Sequence, residues 1–243
     1  MYDIHFDHPV WVHFIGIGGI SMSGLAEILH DRGFKVSGSD MKASPLTEHL
    51  ESLGISVQFP QKSENIVPGI ELCVYTAAIS EDNPEFQEVK RQNIPMMSRA
   101  ELLGRIMKNY KEAINVSGTH GKTTTTSMIG EILMEAQMDP TITVGGMMKD
   151  IGGNLRVGKS DVFLAEACEY TNSFLSFFPT IEVVLNVEED HLDFFKDIND
   201  IRASFRKFIE KLPENGILIF NKDIPHAEFF LEDLPGRKII TFG

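Results

Sequence analysis

Hydrophobic and polar residues along this chain fall into two periodicities that take turns. WVHFI (11–15) is a short apolar run that ends in glycines, as a strand does before a turn. Met22, Leu25, Ala26 and Leu29 then recur at i, i+3, i+4 and i+7, an apolar stripe along a helix, and Gly33 stands where a helix ends. FKVSGSD (34–40) and ELCVYTAAI (71–79) read as further strands. Asn83-Pro84 predicts a helix start running to about Gln92, and Ser98 is placed to cap a helix over RAELLGRIMK.

The alternation restarts after a polar link, KNYKEA (108–113). AINVS (113–117) predicts a strand, and Met128, Ile129, Ile132, Leu133 and Ala136 predict the apolar stripe of the helix behind it. DVFLAEA (161–167) and IEVVLNV (181–187) are apolar runs of the kind parallel sheets bury on both faces. Ile198, Ile201, Phe205, Phe208 and Leu212 outline another helix, and GILIFN (216–221) and KIITFG (238–243) two last strands. Strands alternating with helices predict parallel α/β units. The expectation is a Rossmann-like parallel-sheet domain over residues 1–108 and a P-loop ATPase-type α/β domain over 109–243, cut short where Gly243 follows a strand.

Composition is that of an ordinary folded protein, 42% apolar and 23% charged over 243 residues. The net charge of −13 says more: wrapping nucleic acid or lying on an anionic membrane needs a basic face, so neither partner is expected. A nucleotide is still allowed, because it takes only a few local donors. The opening MYDIHFDHPVWVHF lacks a basic flank and a long apolar run, and no stretch approaches the ~20 apolar residues of a spanning helix. Cys73 and Cys168 lie far apart without an export signal, which predicts reduced thiols and a cytoplasmic protein.

Four segments carry candidate chemistry. INVSGTHGKTTTT (114–126) places glycines, Lys122 and Thr123 between a predicted strand and helix. It misses the Walker spacing, with Val116 where the first glycine belongs, but Val116 falls within the strand of a shorter loop. Backbone N–H groups and the positive end of the helix would face a phosphate there, with Lys122 as a mobile cation and Thr123 as a hydroxyl ligand to magnesium. His120 either touches ligand or packs. FIGIGGISMSG (14–24) offers Gly16, Gly18 and Gly19 with Ser21 in place of the third glycine, and Asp40 ends the next strand 22 residues beyond Gly18. An acid there takes a ribose hydroxyl, so NAD, a UDP-sugar, or a bare turn all fit.

In LAEACEYTNSF (164–174), Glu166 ends a buried-type strand, where a carboxylate beside a phosphate loop suits magnesium. Glu169 reads as a solvated residue and Cys168 as a small core residue. NVEEDHLD (186–193) gathers Asp190, His191 and Asp193 just past another such strand, groups able to bind metal or orient phosphate, although a histidine in an acidic turn is more often a surface residue than a ligand.

Together HFIGIGGISMSGLAEIL, SGSD, YTAAI, SRAELLG, GTHGKTTT, EACEYTNSF and NVEEDHLD resemble, in order, the Mur ligase family, ATP-dependent amide-forming enzymes of peptidoglycan precursor synthesis. Ser21 departs from that family's usual glycine, and the family's third domain has no counterpart here. The resemblance implies that Gly16, Gly18, Gly19, Ile20 and Asp40 hold a UDP-sugar rather than a nicotinamide. It implies that Gly118, Thr119, His120, Gly121, Lys122, Thr123 and Thr124 hold ATP. Thr123 with Glu166 would bind one magnesium ion, and Glu166 with His191 a second, making Lys122, Glu166 and His191 the catalytic set. The substrates implied are UDP-N-acetylmuramate and L-alanine. A sister ligase adding a recycled peptide, or a non-catalytic nucleotide-binding module, are the alternatives.

Overall fold

Val12, Phe14 and Ile15 are completely shielded on strand β1 (Trp11–Ile15), because a parallel strand is hydrogen-bonded along each of its edges. These neighbours are β2 (Lys35–Ser39) and β4 (Leu72–Tyr75); β3 (Ser56–Gln58) and β5 (Met96–Ser98) complete the all-parallel order β3-β2-β1-β4-β5. The computed structural model describes residues 2–243, and the chain separates into units Met1–Ile106 and Met107–Gly243.

Helix α1 (Ile20–Asp31) follows β1 and buries Met22, Leu25, Ala26 and Leu29, the stripe expected. Gly33 closes it at φ +82°, with its N–H donated to His30 O and that of Phe34 to Leu29 O. Further along come α2 (Pro45–Ser52), α3 (Pro84–Gln92) and α4 (Arg99–Met107). Asn83 caps α3 by accepting from the Glu85 and Phe86 amides. At the start of α4 the Ser98 N–H donates to Glu101 Oε2 and the Glu101 N–H donates to Ser98 Oγ, a capping box. The strand expected over 71–79 is shorter, since β4 stops at Tyr75 and residues 76–79 turn off to wall the first glycine loop.

The second unit is a seven-stranded sheet in the order β12-β11-β10-β6-β9-β7-β8. It comprises β6 (Glu112–Ser117), β7 (Thr141–Met148), β8 (Gly153–Arg156), β9 (Val162–Glu166), β10 (Ile181–Val184), β11 (Ile217–Asn221) and β12 (Lys238–Phe242). Its ladders are parallel except the β7–β8 hairpin. Its helices are α5 (Lys122–Glu135), α6 (Ile198–Ile209) and α7 (Ala227–Leu231).

Helix α5 corrects the expected stripe. Met128 and Ile132 are 57% and 66% exposed, while Thr126 and Gly130 are buried and Ile129 and Leu133 pack on the core. A Cβ at Gly130 would lie 3.1 Å from Ile142 Cδ1, so a small residue lets the helix approach the sheet closely. On α6 the expected Ile201, Phe205 and Phe208 are buried.

Each sheet positions one loop. In the first, chain order reverses at β1, between β2 and β4; in the second it reverses at β6, between β10 and β9. Loops leaving the carboxyl ends of such strands open on a crevice. The loops in question are the two glycine-rich ones.

Candidate functional site

Loop 118–121 leaves β6 and delivers Lys122 and Thr123 as the first residues of α5. Val116 lies inside the strand, as expected for a compact loop. Gly118 (φ +144°) and Gly121 (φ +81°) take backbone conformations that favour glycine, and a Cβ on Gly118 would meet Leu185 Cβ at 3.0 Å. No side chain caps α5 and no acid stands in its first turn, so the amides at its start point outward unpaired by side chains. Asn186, just past the end of β10, fixes the loop: its Oδ1 accepts from His120 N at 2.7 Å and its Nδ2 donates to His120 O at 3.0 Å. Thr119 Oγ1 accepts from Glu188 N at 2.9 Å, tying the loop to the NVEEDHLD segment. His120 itself is exposed, its imidazole 4.0 Å from Glu188.

The register Val116↔Glu166 sets the end of β9 beside this loop. Glu166 Oε2 accepts from Thr123 Oγ1 at 2.8 Å and from Gly145 N at 2.9 Å. Gly145, on β7, leaves room for this approach, since a Cβ there would stand 2.9 Å from Glu166 Oε2 and the carboxylate would have to shift. The hydroxyl of Thr123 and the carboxylate of Glu166 are hard oxygen donors at one point, the partial shell that magnesium completes with water and phosphate oxygens. Among the described residues no group of three His, Cys, Asp or Glu side chains is gathered tightly enough to hold a metal unaided.

Glu169 overturns its expected solvated role. It is 2% exposed, and its Oε2 lies 2.9 Å from Lys122 Nζ. Lys122 Nζ also donates to Gly118 O at 2.6 Å and Thr119 O at 3.1 Å, which folds the ammonium back on its own loop. His191 Nε2 is 3.9 Å from Glu169 Oε1, so this carboxylate stands between two of the expected catalytic residues. His191 sits at φ +52° and lies against the Tyr170 ring at a centroid distance of 4.5 Å. The Tyr170 hydroxyl donates to Asp193 Oδ2 at 2.8 Å, which raises the phenol pKa.

The segment carrying Glu169 is pinned by Phe174, which is fully buried and stacked on Phe208 at 4.5 Å. Within it Thr171 and Asn172 both take positive φ, and Ser204 donates to the Asn172 side chain. Cys168 is exposed rather than in the core, because the chain turns out of the sheet after Ala167; burial of part of its thiol still raises its pKa.

The first unit offers a separate cleft of about 440 Å³ lined by Gly16, Gly18, Gly19, Asp40, Gln61 and Thr76 among others. Gly18 N donates to Asp40 Oδ2 at 2.8 Å and Met41 N to Oδ1 at 2.7 Å, so Asp40 braces the glycine loop. Gly16 stands at φ +84°, and α1 begins at exposed Ile20 with neither a side-chain cap nor an acid. Beneath the cleft lies a group that pattern reading missed. Glu85, fully buried, accepts from Ser39 Oγ and from Asn65 Nδ2 at 2.6 Å, and the fully buried His13 lies 3.8 Å away. Its position in an exposed-looking helix start, PEFQE, gives no sign of burial.

A strand, a tight glycine loop and a helix opening on lysine and threonine make the second unit a P-loop-type α/β fold, and it follows a Rossmann-type parallel sheet. The family model described as "Mur ligase family, catalytic domain" matches residues 11–111, and "Mur ligase middle domain" matches 116–243. The chain belongs to the Mur ligase family. It is 61% identical, over all 243 residues, to a UDP-N-acetylmuramate–L-alanine ligase of Lachnospira eligens, covering 53% of that protein. A UDP-N-acetylmuramate-alanine ligase structure from Thermotoga maritima matches 90% of this chain and 51% of its own at 28% identity and TM-score 0.77. The UDP-N-acetylmuramate:L-alanyl-gamma-D-glutamyl-meso-diaminopimelate ligase of Neisseria meningitides matches 97% and 78% at 28% identity, with TM-score 0.84. The chain spans about half the length of the curated relatives it matches. No helix among the described residues is long and apolar enough to cross a membrane.

Proposed function

We propose that this chain supplies the sugar-nucleotide and ATP sites of a cytoplasmic ligase that joins UDP-N-acetylmuramate to L-alanine. The observation that carries the reading is the junction of Lys122, Thr123 and Glu166 at the uncapped start of α5. Identity of 61% to an alanine-adding relative favours L-alanine over a recycled peptide. Residues 1–108 would form the UDP-sugar domain and 109–243 the central ATP domain, with neither nucleic acid nor membrane as partner.

A carboxylate does not condense with an amine at neutral pH, because oxide is too poor a leaving group. Transfer of the ATP γ-phosphoryl group to the muramyl carboxylate oxygen gives an acyl phosphate and ADP. The alanine amine then attacks the acyl carbon, and the tetrahedral adduct loses a proton and expels phosphate to leave the amide. The protein's task is to hold two anions together and to offset charge on the group in flight. Gly118 to Thr124 would present backbone amides and the Lys122 ammonium to the triphosphate. Thr123 and Glu166 would hold one magnesium ion, and Glu166 with His191 a second; bound there, magnesium supplies charge neutralisation of the phosphoryl oxygens. Gly16, Gly18, Gly19, Ile20 and Asp40 would seat the uridine diphosphate.

The test is phosphate release from ATP, assayed for the chain alone and joined to the remaining half of the Lachnospira eligens relative. Release by the joined protein should require UDP-N-acetylmuramate and L-alanine together, with a tripeptide as comparison, while the chain alone should bind both nucleotides without turnover. A joined, folded protein that released phosphate with neither substrate dependence would defeat the proposal.

A further inference from the structure

Lys122 has three N–H bonds to donate, and the structure accounts for all of them. Gly118 O and Thr119 O take two at 2.6 and 3.1 Å, and Glu169 takes the third, at 3.2 Å to Oε1 with Oε2 only 2.9 Å away. The ammonium is curled onto the loop instead of reaching out from it. Glu169 is 2% exposed and Lys122 side chain 12%, so little water screens the pair. Pulling Lys122 away would strand a buried carboxylate, an expensive arrangement unless another cation replaces it. The imidazole of His191 lies 3.9 Å from Oε1 of the same carboxylate.

We propose that Glu169 is a positioning residue that latches Lys122 against its own loop, and that a triphosphate must draw Lys122 off this latch to bind. The inference rests on the ATP reading of the loop. Glu169 opposes ground-state binding in two ways: it holds the lysine back, and it sets a negative charge facing the incoming phosphates. Nothing in the Thr123–Glu166 pair duplicates this, since that contact does not involve Lys122.

Glu169→Gln tests it, because the amide keeps the shape and discards the charge. In the 243-residue chain without nucleotide, Lys122 should react several-fold faster with an amine-directed acylating reagent, read by peptide mass spectrometry, while exposed Lys207 is unchanged. By calorimetry, MgATP should bind the variant about tenfold more tightly than the parent. Glu169→Asp, which keeps the charge on a shorter arm, should fall between them and serves if Glu169→Gln melts early. An unchanged Lys122 labelling rate in a folded variant overturns the latch, as does weaker MgATP binding. Failure of the parent chain to bind MgATP at all would instead sink the ATP reading, and the labelling result would still decide whether the latch exists.

Discussion

Thr123 donates its hydroxyl to Glu166 at 2.8 Å, although 43 residues separate them. The contact exists because β6 and β9 are neighbours in parallel register, so the residue that opens α5 meets the carboxylate that ends β9. Gly145 closes the third side with its N–H on the same carboxylate oxygen. A helix and two strands thus deliver a hydroxyl, a carboxylate and a bare backbone to one point, and rigid elements hold such a set more accurately than loops do.

Lys122→Ala removes the mobile cation from this point. In the joined ligase the rate should fall at least ~10²-fold, the scale of losing one preorganised charge-stabilising group. Steady-state phosphate release checks it, and near-normal turnover would refute the role given to Lys122.

Gly145→Ala places a Cβ 2.9 Å from Glu166 Oε2 and 3.0 Å from Oε1. The carboxylate must shift, and with it the hydroxyl of Thr123. We expect magnesium-dependent ATP binding to weaken about tenfold or more with little loss of stability, since Gly145 is exposed and the atoms its Cβ would meet end a flexible side chain. Calorimetry with and without magnesium checks this; equal ATP affinity in both proteins would show that Glu166 is not needed where it stands.

Gly18→Ala addresses the first cleft alone. The new Cβ would lie 2.8 Å from Asp40 Oδ2 and 2.9 Å from Thr47 Cγ2, pushing Asp40 off the Gly18 amide. Affinity for UDP-N-acetylmuramate should drop by about tenfold or more while MgATP affinity stays level. Isothermal titration with each nucleotide reads both, and a parallel loss of ATP would show that the variant is merely unfolded.

Strand, loop and helix order was legible because burial on both faces writes itself as apolar runs, as in β1 and β9, and helical stripes as in α1 and α6. Two kinds of feature escaped. Where small or polar residues do the packing, periodicity misleads: Thr126 and Gly130 turn α5 inward, and β7, carrying Gly145-Gly146, shows no uninterrupted apolar run. Where a charged residue is buried by a distant partner, local composition argues the wrong way. Glu169 reads as a solvated acid and Glu85 draws no reading at all, and only tertiary structure brings Lys122 to the one and Ser39, Asn65 and His13 to the other.

Glu182 supplies a pH test independent of ligand. It is wholly buried on β10, its Oε2 has no partner, and Ser117 Oγ reaches Oε1 only at 3.4 Å. Burial raises its pKa well above the usual carboxylate value, with the Ser117 bond opposing weakly. In the unfolded chain the group ionises near the ordinary glutamate value of about 4.3. Below that pH both states hold the proton and nothing is lost; as pH rises from there through the folded value, only the unfolded state releases it, and stability falls. Glu182→Gln removes that proton linkage and keeps the side chain's shape. Its melting temperature should exceed that of the parent by several degrees at pH 8, at about 2–4 °C per kcal/mol for a chain of this size, and match it near pH 4. Thermal melts at both values decide the matter: a variant less stable at pH 8 would mean that the ionised carboxylate is stabilised by partners and that burial does not dominate.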